Sequence, residues 1–523
     1  MGSEPGRLSL RSPLRMEYPS NSSQESSHAG ICACWYKSEM SRAGMQSPIG
    51  PQSEQGRVRR GAAYHLLNRA TWGFSPDDLA ELEQRGYSGW LSWQLEPDLI
   101  DDSICDSMLG QYPTLSLSAY EIAQGYFGTG GGPLGTHWGM AQELRSARLT
   151  RAVHSKRQLF ERVVEFWTDH FNATQDLGSW QRAFRTVADR EVFRKHALGN
   201  FRELLMANAK SAEMLRYLDN VSNVAGAPNE NYSRELLELH TLGVDGGYSE
   251  NDVRELARCF TGWSIYSATG DTNWGDFRFK QWDHDSGSKL VLGMTIPGGG
   301  VEEAEGVIDY LAGHPSTARF LAEKMFRFFL RYEPTTQMVD EGAAAFTASN
   351  GEIKELLLVV LDEKWVGHVN PQGDPKLKRP MHLALSLVRS LGDAARLLDP
   401  AGLDMTLVSL GHRSYNWPDP DGYPDELEAW GSNILPRWNL AHDICQNTMS
   451  GLDTPSWMIG QLLGWPSDDG LADALNQHLF NGYMARNDLR ALRSYISSSG
   501  LRSMSLRAEA FAMAACSPSF QFA

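Results

Sequence analysis

Six side chains have types and spacings that could do chemistry together. The run ERVVEFWTDHF (residues 161–171) carries His170 next to its end, and ENYSRELLELHTL (230–242) holds Glu235 and His240. A third stretch, DHDSGSK (283–289), sets His284 and Asp285 beside Asp283 and Lys289, with Arg258 upstream. Imidazole titrates near neutral pH, and imidazoles joined by carboxylates form the usual ligand sets of divalent metal centres. The expected chemistry is therefore metal-dependent, hydrolytic or oxidative. His170 and His284 supply nitrogen ligands, Glu235 is a ligand or general base, Asp285 completes the metal set, and Arg258 holds an anionic substrate group. Each candidate also has an ordinary reading. His170 is then a core histidine satisfied by a hydrogen bond. Glu235 is then the partner of a buried arginine such as Arg258, Arg69 or Arg437. The 283–289 stretch is then a solvated turn.

Helices must position these groups. On a 100° wheel Val163, Val164, Phe166, Trp167 and Phe171 share one arc, and His170 falls in the middle of it. Glu161, Glu165, Thr168 and Asp169 fall on the opposite arc. In the next segment Glu235 and His240 lie among Tyr232, Leu236, Leu237, Leu239 and Leu242. A buried carboxylate without a partner costs several kcal/mol, so Glu235 there needs a cation, a proton or a metal. Ser249 and Asp252 form a capping-box pattern that starts a helix with Arg254 and Arg258 on its polar face. FRFKQW (277–282) and KLVLG (289–293) read as the two strands of a β-hairpin whose tip carries His284 and Asp285. The acidic, proline-stiffened loop NWPDPDGYPDE (416–426) stands apart from the helical text.

The whole chain reads as all-α, one large multi-helix domain over 61–523 with a small β-hairpin excursion. Residues 1–60, rich in Ser, Gly, Pro and Gln, read as a disordered leader without the apolar stretch of a signal peptide. The chain has 523 residues with 48 basic and 64 acidic side chains, a net charge of −16. That balance disfavours a nucleic-acid partner, and no apolar run is long enough to span a membrane. The six cysteines form no CxxC pair. GxSxG, P-loop and HExxH motifs do not occur.

Blocks in fixed order then become recognisable: HLLNRATWGFSPDDL, QLFERVVEFWTDHFN, NENYSRELLELHTLGVDGGYSENDVRELARCFTGW, HDSGSKLVLG, HPSTARFLAEKM, KLKRPMHLALSLVRSLG and PDGYPDELEAW. With these the chain resembles the bacterial family called domain of unknown function 1800, from about His65 to the end. The resemblance implies a large, mainly helical protein of an envelope or secreted setting, encoded near sulfatase-like proteins, and supplies no reaction. It also implies that Phe can replace His240. Two further readings stand beside the metal-dependent enzyme. One is a non-catalytic scaffold or partner of a sulfatase-like envelope protein. The other is a haem-binding, peroxidase-like protein with His240 as the cofactor ligand, since HTLG is superficially similar to a proximal peroxidase segment.

Overall fold

The computed structural model describes residues 54–127, 131–268, 270–368, 376–499 and 504–523, the side chains of 54–60 excepted. Residues 52–523 cluster into one unit. The expected leader over 1–60 lies outside the described residues up to 53, and helical backbone begins at Glu54.

Helices dominate the described residues, and their ends follow the local sequence signals. Ser75 accepts from the Asp78 amide with Pro76 in the first helical position, and the Ser249–Asp252 capping box is formed in both directions. The helices that build the site are α1 (Glu54–Ala70), α2 (His137–His154), α3 (Gln158–His170), α4 (Asn231–Glu235) and α5 (Glu250–Cys259). They are followed by α6 (Val301–Ala312), α7 (Pro315–Phe329), α8 (Thr336–Ala348), α9 (Pro380–Leu391) and α10 (Ile434–Cys445). Their apolar faces meet in one continuous core in which Trp72, Trp90, Trp167 and Trp263 are almost fully enclosed. α7 shows the packing. Leu321, Ala322, Met325, Phe326 and Phe329 recur at helical spacing and are buried. Gly342 of α8 lies so close that a Cβ there would stand 3.0 Å from the Ala322 Cβ.

Two local features differ from the sequence reading. The first is the polar arc of α3, which has no solvated face: Glu161, Glu165 and Thr168 are as buried as the apolar residues. Arginines of neighbouring segments cover it, Arg148 facing Glu165 at 3.8 Å and Arg194 facing Glu161 at 2.5 Å. The second is the hairpin. Both expected strands exist, but they do not pair with each other. Strand β2 (Phe277–Phe279) pairs antiparallel with β1 (Trp263–Ile265), and β3 (Lys289–Val291) with β4 (Met294–Ile296). Leu292 and Gly293 explain the second pairing. Both have positive φ, 49° and 78°, the backbone of a two-residue primed turn that closes the nearest strands on each other. Residues 283–287 therefore connect two hairpins instead of tipping one.

Candidate functional site

α3 ends with Asp169 and His170 pointing into the junction of α7, α9 and the 416–426 loop. The π-helical segment Leu236–Thr241 that continues α4 brings a second histidine there. In it the Leu242 amide donates to Leu237 O, five residues back, so the 100° wheel slips. His240 and Thr241 turn inward and are buried, while Glu235 and Leu239 rotate to half-buried positions.

His170 is enclosed and its two ring nitrogens are both engaged. Nε2 lies 3.1 Å from the backbone oxygen of His240, a pure acceptor, so Nε2 carries the hydrogen and donates. Nδ1 is then a lone pair, and Lys324 Nζ of α7 donates to it at 3.1 Å. Burial, with the nearby Lys324 ammonium and His240, holds the His170 pKa well below the usual imidazole value. His240 sits in an aromatic shell of Phe171, Tyr232 and His170, and burial pushes its pKa down to about 3. Neither of its ring nitrogens has a hydrogen-bond partner among the described residues. Lys324 is half-buried. Burial lowers its pKa to about 8 against the pull of Asp169 and Asp421.

Asp169 joins this histidine–lysine group to a cationic cavity. Arg379, the N-cap of α9, donates to Asp169 and to Tyr423 O. The cavity of about 20 Å³, room for about one water-sized group, is lined by Arg69, Arg162, Lys376, Lys378, Arg379 and His382. Asp425 is the single carboxylate side chain in the lining, at 2.7 Å from Lys376. Arg162 pairs with Glu165 behind the wall. Lys378 is 1% exposed, and among the described residues its ammonium meets only the Ser386 hydroxyl at 3.3 Å and the Phe520 ring at 4.1 Å. Burial pushes both Lys376 and Lys378 down to about 7. The His382 ring stands edge-on to Trp72, and its Nε2 has no hydrogen-bond partner among the described residues. At the start of α9 Pro380 has no N–H, and the Met381 amide donates to His412 Nδ1 at 3.2 Å. Residues 376–378 are held in place by an antiparallel bridge between Leu377 and Phe522.

The 416–426 loop closes over this centre and is rigidly placed. Asn172 Nδ2 donates to the backbone oxygens of Trp417 at 3.0 Å and Asp419 at 2.7 Å. Gly422, with φ of 80°, lies flat on Asp169; a Cβ there would stand 2.3 Å from the Asp169 oxygen. Tyr423 packs between Trp417 and His412. The loop thus presents Asp421 to Lys324 and Glu235, and Asp425 to Lys376.

The residues expected to act together fall into two groups. His170 and His240 lie in this centre. Glu235 borders it, sharing the Asp421 field, and its pKa is raised by burial and by Glu238. Arg258, His284 and Asp285 form another group. Arg258 grips Asp285 through Nε at 2.7 Å and Nη2 at 3.2 Å, and Glu255 at 2.8 Å. That grip, chiefly the hydrogen bond, holds the Asp285 pKa down to about 2. His284 spends Nδ1 on the Thr261 oxygen at 2.8 Å and Nε2 on Glu303 of α6 at 3.2 Å; Glu303 also holds Lys289. Among the described residues no group of three or more His, Cys, Asp or Glu is arranged to hold a metal ion. The expected convergence of His170, Glu235, His284 and Asp285 is therefore not formed. The arginines considered for Glu235 are placed elsewhere, Arg258 on Asp285 and both Arg69 and Arg437 beside Lys378.

Lys324, Lys376, Lys378, Arg379 and Asp425 are the residues that sequence reading missed. The KLKRP signal was present: three cations packed immediately before a proline-started apolar helix cannot all reach water.

The family description "Protein of unknown function (DUF1800)" matches residues 65–522. The chain belongs to the DUF1800 family. The match takes in Arg69, the α3 terminus, Lys324, the KLKR segment and the acidic loop, so the whole centre lies within what defines this DUF1800 protein. Comparison with curated proteins and with solved structures gave no match.

Proposed function

We propose that this DUF1800 protein binds an anionic group, a carboxylate, phosphate or sulfate, at the cationic centre before α9. One observation carries the reading: Lys378 lines the cavity beside Arg162, Lys376 and Arg379, and it is buried without any acid among its described partners. A buried ammonium without a counter-charge costs several kcal/mol, and an anion placed beside it removes that cost. Arg162 and Arg379 add planar donors suited to oxyanions. The dimensions fit one oxygen-bearing terminus of a larger molecule rather than a whole ligand.

Metal-dependent chemistry has weaker support. His284 and Asp285 are committed to Glu303 and Arg258, and would have to leave them to serve a metal. Metal analysis of the purified protein bears on that alternative directly. No helix among the described residues is long and apolar enough to cross a membrane.

Titration calorimetry and thermal unfolding with sodium sulfate, against sodium chloride at equal ionic strength, test the anion reading. Sulfate at a hundredfold excess over its Kd stabilises the protein by about 2.7 kcal/mol. Lys378→Met loses that response. An equal response of wild type and variant overturns the reading. Sulfate keeps its charge across neutral pH, whereas Lys376 and Lys378 lose theirs above about 7. Affinity therefore falls as the pH rises from 6 to 9.

A further inference from the structure

We infer that Lys324 is a reactive amine that forms an imine with an aldehyde or keto group carried by an anionic molecule. The geometry around its nitrogen supports this. Lys324 Nζ donates to His170 Nδ1 at 3.1 Å, and His170 is locked as the Nε2–H tautomer by the His240 backbone oxygen at 3.1 Å. The lysine thus hydrogen-bonds a neutral imidazole lone pair, while Asp169 and Asp421 act on it only through space. Its side chain is half-buried and runs over the Phe320 ring at 5.3 Å. Phe328, one helical turn along α7, lines the cationic cavity. A molecule whose anionic end sits in that cavity has its other end near Lys324. This choice of an anionic carbonyl rests on the anion-binding reading above, whereas the amine's reactivity does not.

The step balances. The Nζ lone pair bonds to the carbonyl carbon while one N–H proton passes to His170 Nδ1. The carbonyl oxygen, protonated to a carbinolamine hydroxyl, then takes that proton and leaves as water. The C=N bond forms as the second N–H proton is lost to solvent in exchange for the one the oxygen gained. Nothing is oxidised or reduced. The charges facing the amine are Asp169 of α3, Asp421 of the loop, Arg327 of α7 and Arg379 before α9, with His170 and His240 neutral. Free amine is present near neutral pH because the pKa lies at about 8.

The full chain is incubated with succinate semialdehyde, whose carboxylate and aldehyde stand two methylenes apart, or with the neutral butyraldehyde, in the presence of cyanoborohydride, which reduces any imine to a stable secondary amine. Peptide mass mapping then locates the adduct. At pH 7 Lys324 is expected to react about tenfold faster than the exposed Lys195, its larger free-amine fraction outweighing its lower intrinsic nucleophilicity. The carboxylate-bearing probe is expected to outpace the neutral one, and Lys378→Met to abolish that preference. Asp421→Asn, in the exposed loop, removes a charge that holds the amine protonated. It moves the pH–rate midpoint below about 8 and raises the rate at pH 7. Equal rates for the two probes at a fast Lys324 keep the reactive amine and overturn its coupling to an anion. Lys324 reacting no faster than Lys195 overturns the inference, whatever sulfate binding shows.

Discussion

Two charged regions of this protein look alike in sequence and differ in structure. Around Arg258 every charge meets an opposite one: Arg258 holds Asp285 and Glu255, while Glu303 takes His284 and Lys289. At the start of α9 the cationic side chains outnumber the acidic ones among the described residues, and there Lys378 is left with a hydroxyl and a ring. Closed pairing is what a fold needs to keep buried polar groups satisfied. Unbalanced pairing is costly to maintain unless something else supplies the missing charge. The contrast fits an architectural role for the first region and supports the proposed anion binding at the second, although the sequence makes the first the more inviting.

Several substitutions break or sharpen this contrast. Glu303→Gln strands the buried Lys289 and leaves His284 without its acid, and is expected to lower stability by about 3–5 kcal/mol in urea unfolding. A loss below about 1 kcal/mol would contradict the architectural role. Lys378→Met acts in the opposite direction. In buffer free of multivalent anions it is expected to stabilise by about 1–4 kcal/mol, since a buried unpaired ion is replaced by an apolar chain. Destabilisation on the same scale would show that the ammonium is balanced within the fold.

The pH dependence follows from the same lysines. Their folded pKa of about 7 lies below the ordinary 10.5, so between these values the unfolded chain holds protons that the folded one has released. Stability therefore rises with pH across that window, by at most about 1.4 kcal/mol per pH unit for each lysine. Unfolding midpoints between pH 7 and 10 check it, and Lys378→Met should remove part of the slope. Asp285→Asn breaks a pair that is about one-quarter exposed on both sides, so a loss of about 0.2–1 kcal/mol is expected. His240→Phe has the smallest expected effect, within about 1 kcal/mol either way, because the ring makes aromatic contacts and no hydrogen bonds among the described residues. A larger loss there would point to a use of the imidazole.

Burial of His170 was legible because its place in the apolar arc of α3 depends only on the regular helical period. The placement of Glu235 was not. A π-helical segment begins at the next residue, and single-sequence periodicity carries no mark of that slip. The pairing of β3 with β4 was written in Leu292-Gly293, a turn signal outweighed by the attraction of a charged tip. Helix ends at Ser75 and Ser249 were legible for the opposite reason, since a cap is made within four residues of chain.

Local order and the charge content thus follow from residues close together along the chain: which segments are helices, where they start, and that charge must be buried somewhere. Which charges meet does not. Asp169 finds Arg379, Lys324 finds His170, and Lys378 finds no acid among the described residues, only once α3, α7, α9 and the 416–426 loop have packed. Electrostatic energy depends on distance and solvent exclusion, and both are properties of the packed fold rather than of spacing along the chain.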